Sequence, residues 1–225
     1  MEQRSIRVDR IGREGQPVVV IDGFAPDPAR LVEAAAAATF RPMGEYYPGV
    51  RAPAPPDYFH GMDQMLATVA REVFGAHDRL SVTRALYSLT TTPPEALGLA
   101  QRIPHIDAVA EGMLAIIHYL SPDDQGGTAF YRHRSTGFET IAASDHHTYL
   151  DTLKADFHRL GEPPAEYISG DTPVFEQIAR YDGVFNRALI YRSSLLHCAR
   201  IPRDAALYDD PATGRLTVAS FLSVT

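Results

Sequence analysis

The chain has 225 residues, 45% of them hydrophobic and 22% charged, and a formal net charge of −7. This is an ordinary globular composition, and the chain is long enough to bury a sizeable core. An acidic balance without a basic block argues against a nucleic-acid partner. It leaves room for a small anion, for which one well-placed arginine suffices.

The first nine residues are charged and lack the apolar core of a signal peptide. The alanine run at 34–38 is too short to span a bilayer, so no membrane partner is expected. The single cysteine, Cys198, allows no intrachain disulfide, which fits a reducing, cytoplasmic compartment. It reads as a small buried hydrophobe beside His197.

PVVVID (17–22) reads as a buried strand. Residues 27–40 read as a helix, with Asp27 as cap, Pro28 in the first turn, and Leu31, Val32 and Ala35 on one face. PAPP (53–56) reads as loop. A second helix begins near Asp63, carries Leu66, Val69, Ala70 and Val73 on one face, and ends at Gly75. Short strands follow at 81–89, 112–120, 128–131, 186–193 and 215–224, rich in Val, Ile, Thr, Tyr and Phe. A helical insertion at about 132–181 interrupts them. Leu150, Leu153, Phe157 and Leu160 have helical spacing within it, and the Thr-Pro start of 172–181 reads as a further short helix. With no repeat and no linker, the expectation is one α+β domain over residues 1–225, with a jelly-roll β part flanked by N-terminal helices.

RIPHID (102–107) places His105 and Asp107 two positions apart. Nine histidines and 28 acidic residues produce about one such pair by chance, so the rest of the chain must decide whether these are metal ligands or mere neighbours. A facial site of two histidines and one carboxylate needs a third ligand from a distant strand. His197, at the end of the apolar stretch RALIYRSSLLH, is the best candidate; its competing reading is a core histidine satisfied by backbone. In the next strand, alternation puts Arg215 and Thr217 on one face and Leu216 and Val218 on the other. A dicarboxylate would satisfy that arginine and hydroxyl, while Asp209 or Asp210 would be the ordinary partner.

VVVIDGFAPDPARLVEAA, ALYSL with PHID, LAIIHYLSPDDQGGTAF, ALIYRSSLLHCA and GRLTVASFL, in that order, resemble the iron(II)/2-oxoglutarate-dependent oxygenases, specifically the prolyl-hydroxylase-like branch. The chain is also similar to an uncharacterised bacterial family assigned to that superfamily. The resemblance covers most of residues 17–225 and implies a double-stranded β-helix, iron(II) as cofactor and 2-oxoglutarate as cosubstrate. It assigns His105, Asp107 and His197 to the metal and Arg215 to the distal carboxylate. It assigns Tyr119, and by a stretched spacing Tyr87, to the cosubstrate, with Thr217 in place of a frequent serine. Plain core packing competes for both tyrosines. The chain departs from the pattern in the spacing of 18 from His197 to Arg215, in the stretch between Tyr87 and His105, and in the long insertion.

Among the other chemistry-bearing residues, His118 alternates away from Tyr119. Arg132, His133 and Arg134 read as a solvated face or as a substrate-anion contact at the barrel mouth. His146 and His147 look exposed and make a poor chelating pair. The resemblance implies a dioxygenase hydroxylating an unactivated C–H bond of a small molecule or a peptidyl residue, and the carboxylate of Asp107 disfavours halogenation. The alternative is a non-oxygenase, cupin-like jelly roll that binds metal or sugar, because fold does not fix function. The loops at 41–62 and 132–181 show no readable pattern; Tyr46, Tyr47, Tyr58 and the prolines of the first read either as a lid over a peptide or small metabolite or as a solvated loop, and neither the substrate nor the oligomeric state is legible.

Overall fold

The computed structural model describes residues 4–76, 80–122 and 125–224. Two antiparallel sheets face each other. The larger is built from β1 (Ser5–Ile11), β2 (Gln16–Asp22), β3 (Arg41–Pro42), β4 (Gly49–Pro53), β5 (Leu80–Thr90), β6 (Met113–Tyr119), β9 (Arg187–Arg192) and β11 (Arg215–Val224), in the order β1-β2-β9-β6-β11-β5-β4-β3. The smaller has β7 (Gly127–His133) between β10 (His197–Arg200) and β8 (Phe175–Asp182), and an antiparallel bridge from His105 to His197 widens it. From β6 onward the chain crosses to the small sheet for β7 and β8, back for β9, over again for β10 and back for β11, which makes this a double-stranded β-helix.

Alternation along each large-sheet strand sorts its side chains. Val19, Ile21, Leu114, Ile116, Ile190, Leu216 and Val218 face outward and pack against α1 (Pro28–Ala36) and α2 (Asp63–Phe74). Val18, Val20, Ala115, Leu189, Tyr191 and Phe221 face inward and fill one end of the space between the sheets with Phe130 of the small sheet. The other end is the cavity described below. The small sheet is covered outside by α3 (His146–Leu160), whose Tyr149 and Leu153 pack on Ala129, Tyr131 and Phe175.

The helices start and stop for local reasons. The Asp27 carboxylate accepts from Arg30 N at 3.1 Å, and Pro28 occupies the first turn of α1. Gly75 ends α2 in the left-handed conformation (φ 73°), and Ala76 N donates to Ala70 O. Gly126 and Gly127 open β7 because nothing larger fits: a Cβ on either would lie 1.9 Å from a backbone oxygen, that of Arg200 or of Tyr181. Asp123 and Asp124 of the same turn lie outside the described residues, as do Met1–Gln3 of the N-terminal reading.

Three sequence expectations need correction. Residues 172–181 are not a helix. Thr172 Oγ1 accepts from Phe175 N at 2.9 Å, a turn that imitates a helix start, and the chain then runs as β8 along β7. β10 spans four residues on the other side of β7, so β7 depends on β8 for pairing along its full length. The insertion is correspondingly shorter, 134–174, between β7 and β8. Residues 41–62 are also more ordered than a patternless loop, since β3 and β4 extend the large sheet past β5 and take in Pro53 of the PAPP stretch.

Candidate metal centre and its cavity

Three elements meet at one mouth of the β-helix. The 103–107 segment, β10 and the 193–195 turn are tied by backbone: His105 and His197 exchange N–H···O bonds of 2.8 and 2.9 Å, and Asp107 N donates to Ser193 O at 2.8 Å. This lacing brings together residues 90 positions apart. One ligand atom from each of His105, Asp107 and His197 lies within 4.8 Å of the others. Asp107 Oδ1 is 3.9 Å from His105 Nε2, and Asp107 Oδ2 is 3.4 Å from His197 Nε2. His197 Nδ1 donates to Leu195 O at 2.8 Å, which fixes the tautomer and leaves the Nε2 lone pair aimed at the cluster.

The electrostatics favour neutral imidazoles. Burial pushes His197 down to about 4. The surrounding protein, then the neighbouring His197, push His105 down to about 4 as well, although 47% of its side chain is open to the cleft and water offsets part of that push. Burial raises the Asp107 carboxyl, opposed by His105, Arg51 and Arg84. Two neutral imidazoles and one carboxylate, converging and without a cation of their own, form a donor set that can hold a divalent metal.

Arg215 enters the same cavity from the start of β11 and is 5% exposed. One Nη donates to Gly127 O at 2.9 Å, the other to Thr90 Oγ1 at 3.4 Å, and its buried Nε has no partner. Among the described residues it pairs with no carboxylate. The Asp210 carboxylate instead accepts from Ala212 N, and its backbone carbonyl accepts from Gly214 N. Beside it, Tyr119 and Thr128 share a 2.6 Å hydrogen bond between their hydroxyls. Thr217 lines the cavity, and its hydroxyl donates to Ser88 O at 3.3 Å.

The match to a family model runs over residues 2–222, nearly the whole chain: a family of unknown function, DUF6445. The chain belongs to DUF6445. No curated protein matches it. Among solved structures this DUF6445 chain is similar to HygX from Streptomyces hygroscopicus with iron bound, at 13% identity and TM-score 0.56 over 94% of this chain and 84% of that one. HygX with nickel, 2-oxoglutarate and hygromycin B bound gives TM-score 0.52 at the same identity and coverage. AviO1 from Streptomyces viridochromogenes Tue57 matches at 14% identity and TM-score 0.50, over 96% of this chain and 90% of that one. At such identities the likeness is one of fold.

Three expectations about this DUF6445 chain change. Tyr87 does not reach the cavity. It lies on the outward face of β5, and its hydroxyl donates to Leu31 O of α1 at 2.7 Å. Arg132 and His133 are neither solvated nor at the mouth. Arg132 pairs with Glu139 and Glu176, and His133 Nε2 lies 3.1 Å from Asp156 of α3. Only Arg134, paired with Asp171, fits the solvated reading. His147 is exposed as expected, but His146 lines the cavity.

The cavity holds about 760 Å³ and opens between the two sheets. Tyr46 and Tyr47 of the 41–62 loop line it, and so does Arg51, which the sequence reading did not single out. Tyr47 reaches in from the 43–48 loop and meets Thr90 Oγ1 at 3.1 Å, next to Arg215. Arg51 of β4 stacks on the Tyr47 ring, 4.1 Å from its centroid. A faint signal existed: Val50-Arg51-Ala52 alternates apolar and polar, with Val50 and Ala52 outward and Arg51 inward, but over three residues between prolines.

Proposed function

We propose that this chain is an iron(II)- and 2-oxoglutarate-dependent dioxygenase that hydroxylates an unactivated C–H bond of a small molecule or peptidyl residue. The observation that carries the reading is Arg215, a buried guanidinium without a carboxylate partner, in the same cavity as a converging His-Asp-His set. A buried charge without a partner is costly, and a dicarboxylate bound to the metal would supply what is missing. The fold shared with HygX, which has been seen with nickel and 2-oxoglutarate, supports the same choice.

His105, Asp107 and His197 would hold the iron, which supplies the coupling of 2-oxoglutarate decarboxylation to oxidation of the substrate by dioxygen. The chain's own residues do the positioning. Arg215 grips the distal carboxylate as a two-pronged donor, and its bonds to Gly127 O and Thr90 Oγ1 hold it rigid. The Tyr119–Thr128 hydroxyl pair lies beside it as a further donor. Asp107 keeps a carboxylate on the metal where a halogenase would need space, so hydroxylation is the outcome expected.

Anaerobic addition of iron(II) and then 2-oxoglutarate tests this directly. A weak absorption band at about 500 nm is expected, the signature of 2-oxoglutarate chelating a metal with open positions. Asp107→Ala should abolish the band and 2-oxoglutarate turnover. Arg215→Gln should retain the metal and weaken 2-oxoglutarate by roughly tenfold or more. If the wild type binds iron and gives no band, the oxygenase reading fails.

A further inference from the structure

Three arginines line the cavity, and among the described residues Asp107 is its only acidic one. If the oxygenase reading is right, a divalent metal, the Asp107 carboxylate, a dianionic cosubstrate and Arg215 cancel. Arg51 and Arg84 then remain as two uncompensated positive charges, in a chain whose net charge is −7.

Neither has a carboxylate within ion-pair distance among the described residues. Arg51 is half-buried and stacked on Tyr47, and its buried Nε has no partner. Arg84 stands at the mouth with its guanidinium over the Phe221 ring, 4.8 Å from the centroid. The two come from neighbouring strands: Arg51 of β4 is opposite Ser88 of β5, Arg84 lies four residues from Ser88 on the same face, and both line the cavity that holds Asp107. Both guanidiniums are held by aromatic faces, which leaves their in-plane N–H donors free for a ligand. Much of the remaining wall is apolar, including Ile117, Tyr149 and Leu153.

We infer that Arg51 and Arg84 form a substrate site for an organic acid: an apolar or aromatic body ending in a carboxylate or phosphate, seated beside the metal. The site rests on the oxygenase reading for the name substrate, but not for its geometry. A cavity of about 760 Å³ lies within the range of small-molecule sites and holds such a ligand together with the cosubstrate.

The test uses full-length protein loaded anaerobically with iron(II) and saturating 2-oxoglutarate, which occupies Arg215. Calorimetric titration compares 4-hydroxyphenylacetate, its neutral analogue 4-hydroxyphenylacetamide, and phenyl phosphate. At least one acid should bind at least about tenfold more tightly than the amide, and the tighter acid identifies the group. Arg51→Gln and Arg84→Gln should each weaken the acid by about tenfold while the band at about 500 nm persists. Arg51→Lys, which keeps the charge, should lose less. Equal affinity for acid and amide, wild-type affinity in the glutamine variants, or no acid binding up to about 10 mM each overturns the proposal. Loss of the band in Arg51→Gln would assign that arginine to the cosubstrate, overturning the substrate site while the oxygenase reading stands. Acid preference in a wild type that never gives the band would uphold the anion site and sink the oxygenase reading.

Discussion

The buried histidines His118 and His197 are set apart by the atoms their ring nitrogens meet. His197 donates through Nδ1 to a carbonyl and keeps Nε2 for the metal cluster. His118, one residue from Tyr119, has the opposite fate on the helix-facing side of β6. Asn186 Nδ2 donates to Ala25 O and Asn186 Oδ1 accepts from Ala25 N, so that oxygen also accepts from His118 Nε2, and His118 Nδ1 accepts from the Tyr58 hydroxyl. Asn186 holds this network from a left-handed backbone (φ 59°), a conformation asparagine tolerates better than most residues. Burial lowers His118 to about 4. In the unfolded chain it titrates near 6.5, so the unfolded state takes up the proton first as pH falls. Stability should be greatest above about pH 6.5 and should fall progressively toward pH 4, with His118 accounting for on the order of 3 kcal/mol. Urea unfolding of metal-free protein across that range measures it, and His118→Gln should show a shallower slope; an unchanged slope would remove His118 from the account. The contact between His133 and Asp156 shows how little local sequence says here, since Arg132-His133-Arg134 reads as a basic surface until Glu139, Glu176 and Asp156 arrive from elsewhere.

The elements follow period and punctuation. β11 was readable in full because ten alternating residues give one face to α1 and α2 and the other to the cavity. β8 was misread because Thr-Pro starts a strand-entering turn as readily as a helix, and only pairing with β7 separates the two. The glycines divide in the same way. Gly75 ends α2 over open space, so Gly75→Ala should cost only the left-handed backbone, about 1 kcal/mol. At Gly127 a Cβ would enter the Tyr181 carbonyl, and Gly127 O is the acceptor that holds Arg215. Gly127→Ala should therefore destabilise by more than about 3 kcal/mol and also weaken 2-oxoglutarate binding. Thermal melts of both variants, with and without cosubstrate, separate these outcomes.

At the scale of the whole molecule, the β-helix is sealed by apolar packing at one end and lined with polar groups at the other. Phe130, Tyr191 and Leu195 close the first end, and His105, Asp107, His197 and Arg215 line the second. The 134–174 insertion supplies α3, which covers the small sheet and adds His146, Tyr149 and Leu153 to the cavity wall. The cluster of His105, Asp107 and His197 joins two chain segments that otherwise touch through few backbone bonds, so a metal bound there should stabilise the fold by mass action. At one hundred times its dissociation constant, iron(II) should contribute about 2.7 kcal/mol and raise the melting temperature by roughly 5–10 °C, reversibly with a chelator. Asp107→Ala should lose this increment, and a variant that keeps it would show that the metal binds elsewhere.

The sequence by itself determined which residues could share a face, because the two-residue period of a strand is local. It placed Arg215 with Thr217 and turned His118 away from Tyr119. It also nominated His105, Asp107 and His197, which the fold brings together. Tertiary structure decided everything that depends on what lies opposite. It turned the Tyr87 hydroxyl to α1, buried Arg132 in ion pairs and His133 against Asp156, paired residues 175–182 with β7, and carried Tyr47 and Arg51 into the cavity. The physical reason is the same in each case: the backbone repeat sets the direction of a side chain, but its partner comes from a strand or helix far away in sequence, and burial and hydrogen bonding with that partner fix the role.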